Sequence, residues 1–263
     1  MTEHQLEGGI ANAGQVVRVG SHVLRPTSPH TTAIHTFLRA LRDTGFTGAP
    51  LPLGIEPDGR ERLEFIPGEV PSIPYPAWSQ TDNALASLGR LLREFHDAAS
   101  VFTATHDLSW NDALSDPAGG EIVCHNDLEL SNVVFRNGTA VAFIDFEFAA
   151  PGRRTYDLAH LARFCVPLDH NIDRTRLGWQ PTDDPRRLRL LADAYGLNDS
   201  RRLHLLNAID DAMDVIEAAT RRSLAAGDPN ATALWNRTGG DERFGRRRRW
   251  WNDHRHEFTA ALS

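Results

Sequence analysis

The sequence predicts an α+β protein in which a small antiparallel sheet precedes a larger, mainly helical part. Three observations predict this fold class. Short strand-like pieces lie within residues 1–66, four prolines fall within residues 67–78, and long amphipathic patterns dominate residues 79–263. We therefore predict an N-terminal lobe over residues 1–66, a linker over residues 67–78 and a helical C-terminal lobe over residues 79–263.

The N-terminal lobe is predicted to hold four strands and one helix. The strand-like pieces are QVVRVG, SHVLRP, LPLGIE and RERLEFI, and a helical pattern covers residues 31–43. A tight turn at Gly20-Ser21 would join the first two strands and pair Val17 with Leu24. This lobe is therefore expected to be mostly antiparallel sheet.

The C-terminal lobe is predicted to contain amphipathic helices on both sides of a few short strands. The helical patterns are DNALASLGRLLREFHDA and RRLHLLNAIDDAMDVIEAATRR, and we interpret His96 in the first as a packing residue. Between them, EIVC is typical of a strand and VVFRNGTAVAFID of a hairpin turned at Asn137-Gly138. The polar segment HNDLELSN joins these strands, so we predict a loop held by a rigid frame.

Composition excludes several classes of protein. The net charge of −7 argues against a nucleic-acid surface, and we interpret the run GRRRR, residues 245–249, as a solvated feature. All 28 basic residues are arginine, which excludes chemistry that needs a lysine amine. Two cysteines are too few for a disulfide framework, and neither a secretory pattern nor a run of about 18 apolar residues is present. We expect a cytoplasmic protein without a nucleic-acid or membrane partner.

The loop HNDLELSN and the hairpin after it carry a carboxylate base and hard oxygen ligands. Asp127, at the third position of the loop, can accept a proton from an incoming hydroxyl group. The amide oxygen of Asn132 can bind a divalent cation, and Asp145 arrives beside it at the end of the hairpin. Since these ligands include no thiolate, we predict a Mg²⁺ site at Asn132 and Asp145.

The pattern H-x-D-x-x-x-x-N followed by I-D-x-E resembles the aminoglycoside phosphotransferase and choline kinase family, relatives of the protein kinases. The resemblance covers almost the full chain and implies a two-lobed, protein-kinase-like fold. It also implies an ATP- and Mg²⁺-dependent transfer of the γ-phosphoryl group to a hydroxyl of a small molecule, either aminoglycoside-like or another metabolite. The roles it implies are a catalytic base at Asp127, Mg²⁺ ligands at Asn132 and Asp145, an outer-shell partner at Glu147, a loop brace at His125, and a tie between the loop and the next helix at Asp157.

In the N-terminal lobe, Arg25 stands where the resemblance implies a phosphate-binding lysine. An arginine stays charged and can hold phosphate oxygens bidentately. The hairpin register places Val16 and Val23 on the same face, where they would cover the nucleotide base. Upstream, LEGGIANAG is a candidate phosphate loop, and LEFIPGE resembles the family hinge, whose backbone groups near Glu64 and Ile66 would bind the adenine edge.

A second departure concerns the partner of Arg25. In kinases a glutamate of the neighbouring helix steadies the lysine, but residues 28–42 contain no acidic residue. Three alternatives are open: a glutamate from elsewhere, such as Glu64, substitutes; Asp43 at the far end of the helix substitutes; or Arg25 contacts phosphate unassisted. The missing lysine and glutamate also motivate an alternative function, a catalytically inactive nucleotide-binding or regulatory relative.

Three carboxylates of a later helix, Asp210, Asp214 and Glu217, recur at helical spacing beside its apolar stripe. The resemblance implies that acceptors bind between the catalytic loop and the later helices. We therefore predict an acidic wall that favours a cationic acceptor. The alternative is ordinary salt bridging at the surface, because Glu217 stands four residues before Arg221.

Overall fold

The computed structural model describes residues 3–6, 15–105 and 107–263. The strands of its N-terminal part are β1 (His4–Gln5), β2 (Val17–Val19), β3 (His22–Pro26), β4 (Pro52–Ile55) and β5 (Arg60–Glu64). They form one antiparallel sheet in the order β1-β2-β3-β5-β4, and α1 (Thr31–Asp43) connects β3 to β4. The predicted phosphate loop LEGGIANAG, apart from Leu6, lies outside the described residues.

Helices make up most of the chain after the proline-rich segment. They are α2 (Asp82–Ala99), α3 (Arg154–Cys165), α4 (Asn171–Arg176), α5 (Asp184–Tyr195), α6 (Asp199–Ala225), α7 (Pro229–Thr238) and α8 (Gly240–Leu262). Thr81 caps α2 by accepting a hydrogen bond from the amide of Ala84, which satisfies one of the free donors of the first turn. In the part of the chain that the structure describes, no helix is both long and apolar enough to cross a bilayer.

Two short antiparallel strand pairs lie among these helices. They are β6 (Ile122–Cys124) with β9 (Ala150–Gly152), and β7 (Val133–Arg136) with β8 (Thr139–Phe143). The turn between β7 and β8 has positive φ angles at Asn137 and Gly138, a conformation that these two residue types adopt readily. Both predicted hairpins are confirmed, including the pairing of Val17 with Leu24.

One hydrophobic core joins the sheet to the helices, with α2 at its centre. Phe37 of α1 is fully buried, and its ring packs edge-to-face against Phe95 of α2, with centroids 6.0 Å apart. Phe146, which follows β8, packs against both rings. Truncating a buried phenylalanine costs about 3–5 kcal/mol, so this aromatic cluster fixes α1, α2 and the segment after β8 against one another.

The proline-rich segment attaches itself to the helical part. Glu69 and Phe135 of β7 exchange two backbone hydrogen bonds of 2.8 Å, and the amide of Tyr75 donates to the carbonyl of Leu177 at 2.8 Å. The chain therefore passes from the sheet to the helices in a defined path. The lobe boundary at residues 67–78 stays a prediction.

Candidate active site

The loop that begins at His125 is anchored by one buried carboxylate. Asp157 of α3 accepts hydrogen bonds of 2.9 Å from the amides of His125 and Asn126. Its Oδ2 atom also lies 3.0 Å from Nε2 of His96, whose Nδ1 atom is 2.8 Å from the hydroxyl of Tyr195. The side chains of His96 and Asp157 are completely buried. Helices α2, α3 and α5 therefore all hold the start of the loop.

Burial determines the charge states in this network. Burial lowers the pKa of His96 despite the carboxylate beside it, so the neutral ring donates from Nε2 to Asp157 and accepts from Tyr195 at Nδ1. Burial alone would raise the pKa of Asp157, but its hydrogen bonds with His96 and with the backbone amide of His125 lower that pKa. Cys124 completes a group with metal-ligand spacing. Because the histidine and carboxylate atoms already have hydrogen-bond partners, we assign this group a supporting role.

His125 links the loop to the segment that carries Asp145. Its Nε2 atom donates to the carbonyl of Ile144 at 2.9 Å, and its Nδ1 atom accepts from the amide of Asp127 at 3.3 Å. Burial lowers the pKa of His125, which fits the neutral tautomer with one donor and one acceptor. The ring also packs on Phe146, with centroids 4.5 Å apart. The contacts are those of a brace, the role that the resemblance implies.

Asn132 lies against the predicted base. Its Nδ2 atom donates to the carbonyl of Asp127 at 2.8 Å and to the carboxylate of Asp127 at 3.0 Å. These bonds identify Oδ1 as the acceptor end of the amide. The carbonyl of Asn132 accepts from the amide of Ile144 at 2.9 Å, which brings Asn132 beside the residue before Asp145. The three residues that the motif separates by up to eighteen positions therefore belong to one site.

Carboxylates crowd this site. Burial and the negative charges of Glu129, Asp145 and Glu147 raise the pKa of Asp127 well above its ordinary value. Asp145 also has a left-handed backbone, with φ 65° and ψ 63°, which is uncommon outside glycine and occurs at functional sites. Carboxylate oxygens plus one amide oxygen are the ligands that Mg²⁺ prefers, and a divalent cation would relieve their mutual repulsion. The residues present therefore fit Mg²⁺.

Arg25 reaches this site from β3. Its Nη1 atom lies 2.6 Å from Oδ1 of Asp145, and its Nε atom lies 2.6 Å from Oε1 of Glu61. The other carboxylate oxygen of Glu61 is 2.6 Å from Nε2 of His35 on α1. Burial would lower the pKa of Arg25, but the charges of Asp145 and Glu61 outweigh it and raise that pKa. The guanidinium is thus a permanent cation held between two carboxylates.

The partner of Arg25 is a glutamate from outside the neighbouring helix, as one alternative expects, but it is not the named example, Glu64. It is Glu61 of β5, whereas Glu64 forms an ion pair of 2.7 Å with Arg42. Residue Asp43 is exposed at the end of α1. The reason is the strand register, which places Arg25 directly opposite Glu61 on the antiparallel neighbour. Sequence reasoning missed Glu61, although a signal existed. Glu61 lies two residues before Leu63 on β5, so both side chains point to the same, core-facing side of the strand.

The predicted base-binding positions receive mixed support. Val16 and Val23 are half-buried, and the hairpin register that places Val23 on the face of Arg25 is present. The amide of Glu64 already donates to the carbonyl of Leu51 at 2.9 Å. That amide is therefore engaged within the sheet, and Ile66 stays the predicted hinge contact with adenine.

The three carboxylates predicted to form an acidic wall have arginine partners. Asp210 accepts from Nε1 of Trp251 at 2.7 Å and from Arg255 at 2.9 Å, both on α8. Asp214 forms an ion pair with Arg248 of α8. These contacts neutralise the carboxylates and join α6 to α8, because the two helices pack side by side. They count against an acidic wall.

Glu217 pairs with Arg221 on its own helix at 2.8 Å. This is the surface ion pair that its spacing of four residues predicts as the alternative. An acceptor-binding role for Asp210, Asp214 and Glu217 stays a prediction.

Comparison with known proteins places this geometry in context. The model of the family described as phosphotransferase enzyme family matches residues 104–206, which include the whole catalytic loop. The trifolitoxin immunity protein of Rhizobium leguminosarum bv. trifolii is 31% identical over 259 residues, and the match covers 94% of this chain and 95% of that protein.

Solved structures share the fold. A choline/ethanolamine kinase family protein from Mesorhizobium loti superposes with a TM-score of 0.66 and 18% identity, covering 100% of this chain and 92% of that one. An amicoumacin kinase in complex with AMP-PNP, Ca²⁺ and Ami superposes with a TM-score of 0.59 and 12% identity, covering 88% of this chain and 82% of that one. At these identities the structures establish a common architecture, with an antiparallel sheet followed by a mainly helical part.

Proposed function

The chain belongs to the phosphotransferase enzyme family, and on that basis we propose that it is a kinase for a small molecule. It would transfer the γ-phosphoryl group of ATP to a hydroxyl group of the acceptor in a Mg²⁺-dependent reaction. A solved neighbour that is a kinase in complex with AMP-PNP and Ca²⁺ is consistent with the use of a nucleotide and a divalent cation.

One observation carries the proposal: Asp127, Asn132, Asp145 and Arg25 form one connected site. Asn132 binds the carboxylate of Asp127, and Arg25 binds the carboxylate of Asp145. Such a site offers a proton acceptor, oxygen ligands for a metal and a cation for phosphate. These are the parts that phosphoryl transfer requires.

In the proposed reaction the hydroxyl oxygen of the acceptor forms a bond to the γ-phosphorus of ATP. At the same time the bond breaks between the γ-phosphorus and the oxygen that bridges it to the β-phosphate. Asp127 takes the hydroxyl proton, and ADP leaves. Asn132 orients Asp127 through its two hydrogen bonds to that residue. Arg25 holds phosphate oxygens, and Glu61 keeps its guanidinium in place.

Asp145 and the Oδ1 atom of Asn132 would hold Mg²⁺. When bound, the metal supplies positive charge that offsets the charge developing on the transferred phosphoryl group. His125 and Asp157 contribute by fixing the backbone of the loop, and they touch neither reactant.

The experiment is ADP release by the purified protein with Mg²⁺-ATP and a panel of hydroxylated metabolites and antibiotics. We expect at least one acceptor to stimulate ADP release, and Asp145→Asn to abolish the Mg²⁺-dependent tightening of ATP binding in calorimetry. Equal ATP affinity of the wild type with and without Mg²⁺, together with no stimulated ADP release, would refute the proposal. Asp97→Asn on the exposed part of α2 serves as a control for loss of one carboxylate.

A second candidate function is an inactive nucleotide-binding relative. The observation that favours it is the ion pair of 2.6 Å between Arg25 and Asp145, which engages one oxygen of a proposed metal ligand. Nucleotide binding without turnover for every acceptor would support this candidate. The inactive relative would be excluded if the wild type is active, Arg25→Lys retains part of that activity and Arg25→Ala loses it.

The relative named for trifolitoxin immunity suggests a biological setting for the reaction. We propose that the acceptor is a toxic compound, which phosphorylation inactivates. Expression of the wild type in a trifolitoxin-sensitive strain tests this idea directly, with Asp127→Asn as the control. Protection by both proteins would show that any immunity is independent of phosphoryl transfer.

A further inference from the structure

Three arginines from two helices gather on one side of the catalytic loop. We call Arg163 of α3 with Arg243 and Arg247 of α8 the arginine cluster. Arg163 and Arg247 are only 5% and 4% exposed. The expectation that residues 245–249 form a solvated run is therefore wrong for Arg247, because packing of α8 against the residues after α3 draws its side chain inward.

The cluster carries more positive charge than its hydrogen-bond partners balance. Arg247 is neutralised by Asp169, with bonds of 2.9 and 2.6 Å. Arg243 lies 3.6 Å from Asp173, which is closer to Arg246, at 3.2 Å. Among the described residues, the buried Nε and Nη1 atoms of Arg163 and the buried Nε atom of Arg243 have no hydrogen-bond partner.

An unpaired buried guanidinium is costly. Removing an ion from water without a compensating partner costs several kcal/mol. The guanidinium carbon of Arg163 lies 4.3 Å from the ring centroid of Phe164, and such a contact offsets only part of that cost. Burial and the like charges of Arg247 and Arg243 lower the pKa of Arg163, so the cluster repels itself. A buried guanidinium with two free donors, beside a second arginine with a free Nε atom, favours a role in binding an anion.

The cluster acts electrostatically on the loop that carries the predicted base. Glu129 stands two residues after Asp127 on the same loop. Burial raises the pKa of Glu129, and the nearby charges of Arg163 and Arg243 oppose that rise. The side chain of Glu129 accepts its hydrogen bond from Ser131. The charges of Arg163 and Arg243 therefore act on the loop segment that also carries Asp127, and no hydrogen bond to Glu129 occupies these two arginines among the described residues.

We propose that the arginine cluster binds an oxyanion of the acceptor, a carboxylate or a phosphate ester, while a hydroxyl of the same molecule lies at Asp127. This inference rests on the proposed kinase function and names its substrate class. Arginine binds such groups bidentately, and an oxyanion would supply the acceptors that the free donors of Arg163 and Arg243 lack. It differs from the expectation of a cationic acceptor, since two carboxylates of the predicted acidic wall, Asp210 and Asp214, pair with arginines of α8.

The first experiment measures anion binding without an acceptor. Inorganic sulfate is titrated by calorimetry into wild type, Arg163→Met, Arg243→Gln and the matched control Arg249→Gln, which changes an exposed arginine of α8. Chloride keeps the ionic strength constant. We expect the Kd for sulfate to rise at least tenfold in the first two variants and to stay within twofold in the control.

A stability measurement shows whether a variant that loses sulfate binding is still folded. If Arg163 serves binding, Arg163→Met should leave the unfolding temperature without anion unchanged or raise it, because a buried unpaired charge is removed. The inference is overturned if sulfate binds no better than chloride. It is equally overturned if sulfate binds Arg163→Met and Arg243→Gln as tightly as the wild type.

The second experiment uses turnover. ADP release is compared for glycerol, glycerate and glycerol 3-phosphate, which differ only in the group beside the hydroxyls, and for any acceptor found in the wider panel. We expect the anionic acceptors to be favoured and Arg163→Met to raise their KM at least tenfold without changing the KM for ATP. A neutral or cationic acceptor whose KM is unaffected by Arg163→Met would overturn the inference.

The two experiments separate the two ideas. Arg163-dependent sulfate binding without ADP release from any acceptor would refute the kinase and keep the anion site. Acceptor-stimulated ADP release without Arg163-dependent sulfate binding would refute the anion site and keep the kinase.

Discussion

Two groups of carboxylates in this protein have opposite surroundings. Around the catalytic loop, Asp127 lies among other acidic side chains, and their charges, added to burial, raise its pKa. On α6, Asp210 and Asp214 each contact arginines of α8. The first group concentrates negative charge, and the second disperses it into ion pairs.

The difference shows how similar residues serve different purposes. Crowded carboxylates destabilise a fold unless a cation joins them, so their persistence favours a metal-binding or catalytic role. Paired carboxylates at a half-exposed helix interface contribute little free energy each and mainly orient the helices. The predictions below test this contrast in order of decreasing effect.

The largest effect is expected at the catalytic loop. Asp127→Asn removes the proton acceptor while it keeps the size of the side chain, so kcat should fall roughly 10²-fold or more, about 2.7 kcal/mol in activation free energy. Steady-state kinetics and ATP titration measure this. ATP affinity should change little, and wild-type turnover in the variant would contradict the assignment.

The support of Arg25 should come next. Glu61→Gln leaves the buried guanidinium with Asp145 alone, so we expect a loss of about 2 kcal/mol in the free energy of unfolding and a higher KM for ATP. Glu64→Gln, three residues along the same strand, breaks only the partly exposed pair with Arg42 and should cost about 1 kcal/mol or less. Urea denaturation compares the two. Equal losses would show that Glu61 has no special role.

A buried histidine of α3, His160, should make the stability of the fold sensitive to acid. Burial lowers the pKa of His160 in the folded protein to about 3, whereas its pKa in the unfolded chain is near the ordinary value of 6.5. Between these values only the unfolded state binds the proton, so stability falls as the pH falls, by about 1.4 kcal/mol per pH unit.

His160→Leu should remove that part of the slope between pH 6 and pH 5. The control, His204→Leu on the exposed face of α6, should retain it. Urea denaturation at the two pH values measures both variants, and an unchanged slope in His160→Leu would contradict the burial argument.

The smallest effect is expected at the paired carboxylates. Replacing Asp210 and Asp214 together with asparagine should cost about 1 kcal/mol or less in the free energy of unfolding and leave the acceptor KM within twofold. The same kinetic assay measures this. A severalfold rise in acceptor KM would restore the acidic wall and break the contrast between the two groups.

Much of what could be predicted follows from the spacing of residues along the chain. The loop residues Asp127 and Asn132 lie five positions apart, and the hairpin turned at Asn137-Gly138 returns the chain to Asp145. Periodicity likewise predicted α1 and α2 to within a residue or two, because amphipathic helices repeat their apolar positions. Such features depend on neighbours along the chain, which the sequence displays directly.

By itself, the sequence determined the fold class, the order of the catalytic elements and the absence of lysine at the phosphate position, since each follows from local pattern or composition. Only the tertiary structure decided which charges meet. Arg25 and Glu61 are 36 residues apart in the sequence, and the register of two strands brings them together. Asp210 and Trp251 are 41 residues apart, and the packing of two helices brings them together. Register and packing depend on the whole core, so no short stretch of sequence specifies those pairs.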